Sequence, residues 1–143
     1  MAIRSGSSLI PTLRYRDAPK AIEFLCNAFG FEKHAVYSGE GNTVAHAQLV
    51  LGRDMIMLGS ATNEGDYANW VRPPETRTSP TTQGVYIVVD DCDVHCDRAR
   101  KCGALILREP VDEDYGGRGY TCRDLEGNVW SFGTYDPWAA SGG

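Results

Sequence analysis

The sequence predicts an α+β chain of two βαβββ modules, which form a cupped mixed β-sheet with the helices on its outer face. Three observations predict it. A strand, a helix and three further strands follow one another twice along the 143 residues. Each helix is bracketed alike, by Asp17 and Gly30 in the first half and by Asp91 and Gly103 in the second. Each half also places an Arg-Asp pair before its last strand, Arg53-Asp54 and Arg123-Asp124. Such a chain is long enough to bury a core without metal or disulfide staples. The expected organisation is one domain over 1–143, with module one at about 9–59, a connector at about 60–83 and module two at about 84–135.

"LIPTLRYR" reads as the first strand. "DAPKAIEFLCNAFG" then reads as a helix with Asp17 as N-cap, Pro19 in the first turn and Gly30 as the stop. Ile22, Leu25, Cys26 and Phe29 recur at helical spacing and supply an apolar stripe. "FEKHAVYS", "TVAHAQLVLG" and "DMIMLG" are strands parted by "GEGN" and the tight "GRD" turn. The stretch from Gly59 to Gln83, rich in Thr, Pro and Asn, shows no periodicity and reads as a connector. "GVYIVVDD" opens the second half, "DVHCDRARKCG" is its helix, and "ALILRE", "RGYTCRD" and "NVWSFGTY" are its remaining strands.

Composition excludes several classes. A formal net charge of −5 with no basic cluster argues against nucleic acid as a partner. No segment approaches the roughly 18 apolar residues of a membrane span, and the N-terminal stretch lacks a signal-peptide core, so a cytoplasmic location without membrane contact is expected. Five cysteines, an odd number spread along the chain, suit reduced thiols.

"YRDAPKAIEFLCNAFGFE" and "DLEGNVWSFGTY", with the "VAHAQLVLGRDMIML" pattern between them, resemble the vicinal oxygen chelate superfamily. That superfamily holds glyoxalase I, extradiol dioxygenases, fosfomycin-resistance enzymes and metal-free bleomycin-resistance proteins. The resemblance runs from about Leu9 to Tyr135 and is nearest to small glyoxalase/bleomycin-resistance-like proteins. It implies the glyoxalase/bleomycin-resistance fold and a homodimer. The family's metal enzymes take one ligand from the first and last strand of each module. Counting back from the helix caps Asp17 and Asp91 puts two of these positions at Ile10 and Gly84, and the inward residues of the last strands are Met57 and Ser131. None is His, Asp or Glu, so neither a metal nor another cofactor is expected.

Strand alternation sorts the side chains between the helix side and the cavity side. Arg14, His46, Gln48, Met55, Met57 and Tyr86 fall on the cavity side, with Thr12, Val50 and Val88, and the resemblance adds Ser131 through its position in the "EGNVWS" segment. Trp70 in the connector reads as a lid, a dimer contact or an anchor for its loop, and Tyr115 and Arg118 lie on a glycine-rich connection able to close over a ligand. His46 is the best single candidate for chemistry, because imidazole titrates near neutrality; its alternative is a strand histidine bonded to a neighbour. The Cys92, His95, Cys96 cluster straddles a helix start, which disfavours zinc. The leading function is a metal-free binding protein that holds a hydrophobic or aromatic small molecule, in sequestration or resistance. Its alternative is a glyoxalase-like lyase or isomerase, or a dioxygenase, with relocated metal ligands such as His46 and Glu126 or with His46 in acid/base catalysis. Whether any reaction is catalysed stays open at this point.

Overall fold

The structure is a computed structural model that describes residues 5–62 and 64–140. Residues 1–4, part of the stretch read as lacking a signal peptide, lie outside the described residues. The chain divides into two compact units at Pro73 and Pro74. Each contains a βαβββ module, and the expected element order is present in both.

In the first unit, β1 (Thr12–Tyr15), α1 (Ala18–Phe29), β2 (Glu32–Ser38), β3 (Val44–Leu51) and β4 (Asp54–Ser60) follow in order. The sheet runs β1-β4-β3-β2, parallel between β1 and β4 and antiparallel elsewhere. Asp17 caps α1 by accepting the Lys20 N–H at 3.2 Å, and Gly30 ends it in the left-handed conformation. The buried face of α1 is wider than the predicted stripe. Phe24 is buried and meets Phe29 edge-on at 5.2 Å, whereas Cys26 is only half-buried. This face covers Tyr15 of β1, Ala47 and Leu49 of β3, and Ile56 and Leu58 of β4.

The second unit holds β5 (Gly84–Val88), α3 (Cys92–Lys101), β6 (Leu105–Asp112), β7 (Arg118–Arg123) and β8 (Val129–Gly133), with sheet order β5-β8-β7-β6. A short helix, α2 (Tyr67–Trp70), interrupts the connector, and α4 (Pro137–Ala140) follows the last strand. Asp91 caps α3 by accepting the Val94 N–H at 3.1 Å. Cys92, Cys96 and Ala99 face the sheet, where Trp130, Phe132, Tyr120 and Cys122 are buried. All five cysteines are free thiols. Burial pushes Cys92 up to about 11 and Cys122 up to about 12, so both stay protonated and inert.

The β7–β8 turn is organised by one buried carboxylate. Asp124, 1% exposed, accepts the Glu126 and Asn128 N–H groups on Oδ1, each at 3.0 Å, and the Trp130 indole N–H on Oδ2 at 3.1 Å. Gly127 sits in the same turn at φ +101, and a Cβ there would come within 2.9 Å of the Thr76 and Arg77 carbonyl oxygens. The close approach lets Arg77 donate to the Asp124 carbonyl at 3.2 Å, tying the connector to the turn. Arg123 repeats the device, donating to the carbonyls of Ser79 at 2.7 Å and Gly127 at 2.9 Å.

Two outcomes follow for stability. An Asp124→Asn amide offers one acceptor oxygen in place of two and strands at least one buried donor, so urea denaturation is expected to show a loss of about 1–3 kcal/mol. His95 lies between Tyr120 and Phe132, sharing a 2.6 Å hydrogen bond with the Tyr120 hydroxyl and lying 4.2 Å from the Phe132 ring. Burial, with Arg98 as a smaller cause, lowers its pKa from 6.5 to about 4. The unfolded chain therefore binds the extra proton first, and stability falls as pH drops through that interval. Thermal melts should show this acid sensitivity, and His95→Phe should flatten it.

Candidate functional site

With one helix per sheet, each module has a face that no helix covers. On the first module that face carries two rows. Thr12 of β1, Met57 of β4 and Gln48 of β3 lie level, with Ala35 of β2 beyond them. Arg14 is level with Gly59, and His46 with Tyr37, in the row beside it. The structure thus gathers Arg14, His46, Gln48 and Met57 on one face, as strand alternation predicts. Met55, on the same face, lines a depression of about 610 Å³ near the β3–β4 turn, together with Ile10, His34 and Val50.

The Gln48 side-chain amide donates to His46 Nε2 at 3.1 Å. An amide nitrogen can only donate, so in this contact His46 Nε2 is the acceptor. The Tyr37 ring stacks on it, with centroids 6.1 Å apart and planes 21° from parallel. Among the described residues His46 thus meets Gln48 and Tyr37, and neither supplies a carboxylate to orient it as a general base.

At the β1 edge the connector folds back onto this face. Tyr67 places its ring 4.5 Å from the Arg14 guanidinium carbon and shares a 3.3 Å hydrogen bond between its hydroxyl and Thr12 Oγ1. Trp70 stands edge-on to Tyr67 at 6.4 Å and is 73% exposed. The residue that pins the connector is therefore Tyr67, which sequence reasoning missed, while Trp70 projects beyond it. Both sit on the one-turn α2, too short to leave a periodic signal.

The open side of the second module holds a cleft of about 210 Å³ that brings together Tyr86, Tyr115 and Ser131. Tyr86 and Ser131 lie level on the parallel pair β5 and β8. Ser131 and Thr121 form a hydroxyl pair at 2.9 Å. The Tyr86 hydroxyl donates to the Tyr135 carbonyl at 2.7 Å, and the Tyr115 ring meets the Tyr135 ring edge-on at 4.8 Å. Burial, with Tyr115 as a smaller cause, raises the Tyr86 phenol above its ordinary value, so it remains a donor. Arg108 and Glu113 also line the cleft, joined by two hydrogen bonds of 2.6 and 3.1 Å that hold the Glu113 carboxyl below the usual range. Sequence reasoning missed this pair, because Glu113 follows the end of β6 beyond a register shift between Arg108 and Val111, where strict alternation no longer says which side chains share a face. Arg118 turns its guanidinium to Asp93 of α3, at 2.9 and 3.1 Å.

Of the four positions considered for a metal, Met57 lies level with Thr12 and Ser131 with Tyr86, while Ile10 precedes β1 and Gly84 is level with Val129. In the first unit Thr12 and Met57 offer a hydroxyl and a thioether, in the second Tyr86 and Ser131 offer a phenol and a hydroxyl, and neither pair fits a divalent cation. Among the described residues no group of three or more His, Cys, Asp or Glu gathers to hold one. Glu126 lies in the β7–β8 turn, away from the strand positions of the open face.

The Glyoxalase/Bleomycin resistance protein/Dioxygenase superfamily description matches residues 9–132. The chain belongs to this superfamily. An uncharacterised protein of Mycobacterium bovis is 28% identical over 133 residues, 93% of this chain and 86% of the relative. A 4-hydroxyphenylpyruvate dioxygenase of Danio rerio is 30% identical over 106 residues, 71% of this chain and only 26% of that enzyme. Among solved structures, TioX from Micromonospora sp. ML1 superposes with a TM-score of 0.69 at 32% identity, covering 90% of this chain and 98% of TioX. A fosfomycin resistance protein, FosX, from Listeria monocytogenes has a TM-score of 0.66 at 18% identity, over 94% of this chain and 93% of FosX, which shows a shared fold. That FosX was crystallised with Mn(II) and a dihydroxypropylphosphonic acid.

Proposed function

We propose that this superfamily member is a binding protein, which holds a small, largely apolar or aromatic molecule against its uncovered sheet faces without a metal and releases it unchanged. The observation that carries the reading is the residue set on the paired strands: Thr12 with Met57, and Tyr86 with Ser131. A soft thioether and neutral hydroxyls favour an organic ligand, through dispersion and hydrogen bonds, over a cation. Exposed Tyr37 and Tyr115 add aromatic surface to the respective faces, at 59% and 61% exposure. Sequestration or resistance, a cytoplasmic location and a homodimeric state belong to the same proposal and are supported by superfamily membership. Among the described residues no helix is long and apolar enough to cross a membrane.

Catalysis by His46 ranks below binding, because Gln48 already occupies the lone pair that a base would use.

The test is a panel of planar aromatic compounds titrated into isotope-labelled protein, with each compound recovered afterwards and identified by mass spectrometry. Binding should perturb the amides of Gln48, Met57, Tyr86 and Ser131, the compound should return intact, and Met57→Ala should weaken affinity about fivefold. Conversion of a bound compound, abolished by His46→Ala, would contradict the proposal and establish the enzyme instead.

A further inference from the structure

Most arginines with described contacts in this chain are matched to oxygen acceptors. Arg100, Arg108 and Arg118 pair with Glu109, Glu113 and Asp93, and Arg77 and Arg123 donate to backbone carbonyls. Arg14 differs. It is half-buried on the uncovered face of the first module, and among the described residues no carboxylate lies within ion-pair distance of it.

Two contacts place it. Its guanidinium carbon lies over the Tyr67 ring, 4.5 Å from the centroid. Gly59, level with Arg14 on the neighbouring strand, makes room for it: a Cβ there would collide with Arg14 Nη1 and come within 3.0 Å of the Ala45 carbonyl oxygen. Tyr67 is itself fixed by its hydrogen bond to Thr12. Stacking engages the face of a guanidinium and leaves its N–H donors, which lie in the plane, available to a third group. A half-buried guanidinium on the uncovered face, with no carboxylate partner among the described residues, fits an oxyanion held by two parallel hydrogen bonds.

We propose that Arg14 is an anion-binding residue, so that the ligand carries a carboxylate or phosphonate docked on the guanidinium edge while its apolar body lies along Met57. This rests on the binding reading above and names the chemical class of the molecule bound. Tyr67 is a positioning residue in this arrangement, acting through Arg14.

The experiment compares naphthoate, naphthylphosphonate and the neutral naphthylmethanol by calorimetry, with amide spectra locating each site. Wild-type protein should bind the two acids at least about tenfold more tightly than the alcohol. Arg14→Gln should erase that preference while leaving the alcohol's affinity within about twofold, and Arg14→Lys, which keeps the charge without the fork, should restore part of it. The carboxylate and phosphonate arms show which oxyanion the fork prefers. Should Arg14→Gln fail to fold, Gly59→Ala, which displaces the guanidinium without removing it, should also lose the preference. Equal binding of acids and alcohol by wild-type protein, or a preference that survives Arg14→Gln, would overturn the anion site and leave the binding proposal standing. If none of the three compounds perturbs the face residues at millimolar concentration, the binding proposal fails and the anion site with it.

Discussion

Each four-stranded sheet here has a single helix to lie on it, so each can bury only one of its two faces. Strand side chains alternate, and the buried set is therefore one parity: Leu49, Ile56 and Leu58 in the first module, Trp130 and Phe132 in the second. The other parity is left uncovered by any helix. Gln48, Met57, Tyr86 and Ser131 owe their place on this face to strand parity, and the hydrogen bonds of Gln48, Tyr86 and Ser131 then hold their side chains there. The same constraint explains how one superfamily framework serves different chemistries. The backbone decides which positions face outward, and residue type decides what those positions can hold.

Rigid turns keep those positions in register. The Asp124 carboxylate closes the β7–β8 turn on three donors, and Arg77 and Arg123 fasten the connector to it through backbone carbonyls. The pairing of Tyr86 with Ser131 depends on where β8 starts, and the turn sets that start. Ser131 thus sits within a motif whose conspicuous residues, Asp124, Gly127 and Trp130, are explained by packing and backbone satisfaction. The "DLEGNVWS" stretch is a structural anchor that carries a residue of the uncovered face.

Much of this was legible in the sequence, because the signals were local. Asp17 and Asp91 mark helix starts through side-chain caps, Gly30 marks an end through its left-handed backbone, and period-two alternation sorted the strand faces. The contacts across longer separations were not legible. Nothing near Tyr67 announces that its ring meets Arg14, 53 residues earlier in the chain. The Arg108–Glu113 pair is close in sequence, but it spans the register shift of β6 between Arg108 and Val111, where plain alternation gives no guide. The helical stripe was also drawn too narrow, since Phe24 is buried beside Phe29 on a flank of α1 that strict spacing leaves out.

The claim on which the account turns is that these faces hold an organic ligand and no catalytic metal. The most direct measurement is metal content by plasma mass spectrometry on untagged protein, as purified and after incubation with Zn, Ni, Mn and Fe(II). The donor set of Thr12, Met57, Tyr86 and Ser131 predicts only a small fraction of an equivalent under every condition. Close to one equivalent of any of these metals, retained through gel filtration, would contradict it and return the chain to the superfamily's metal enzymes.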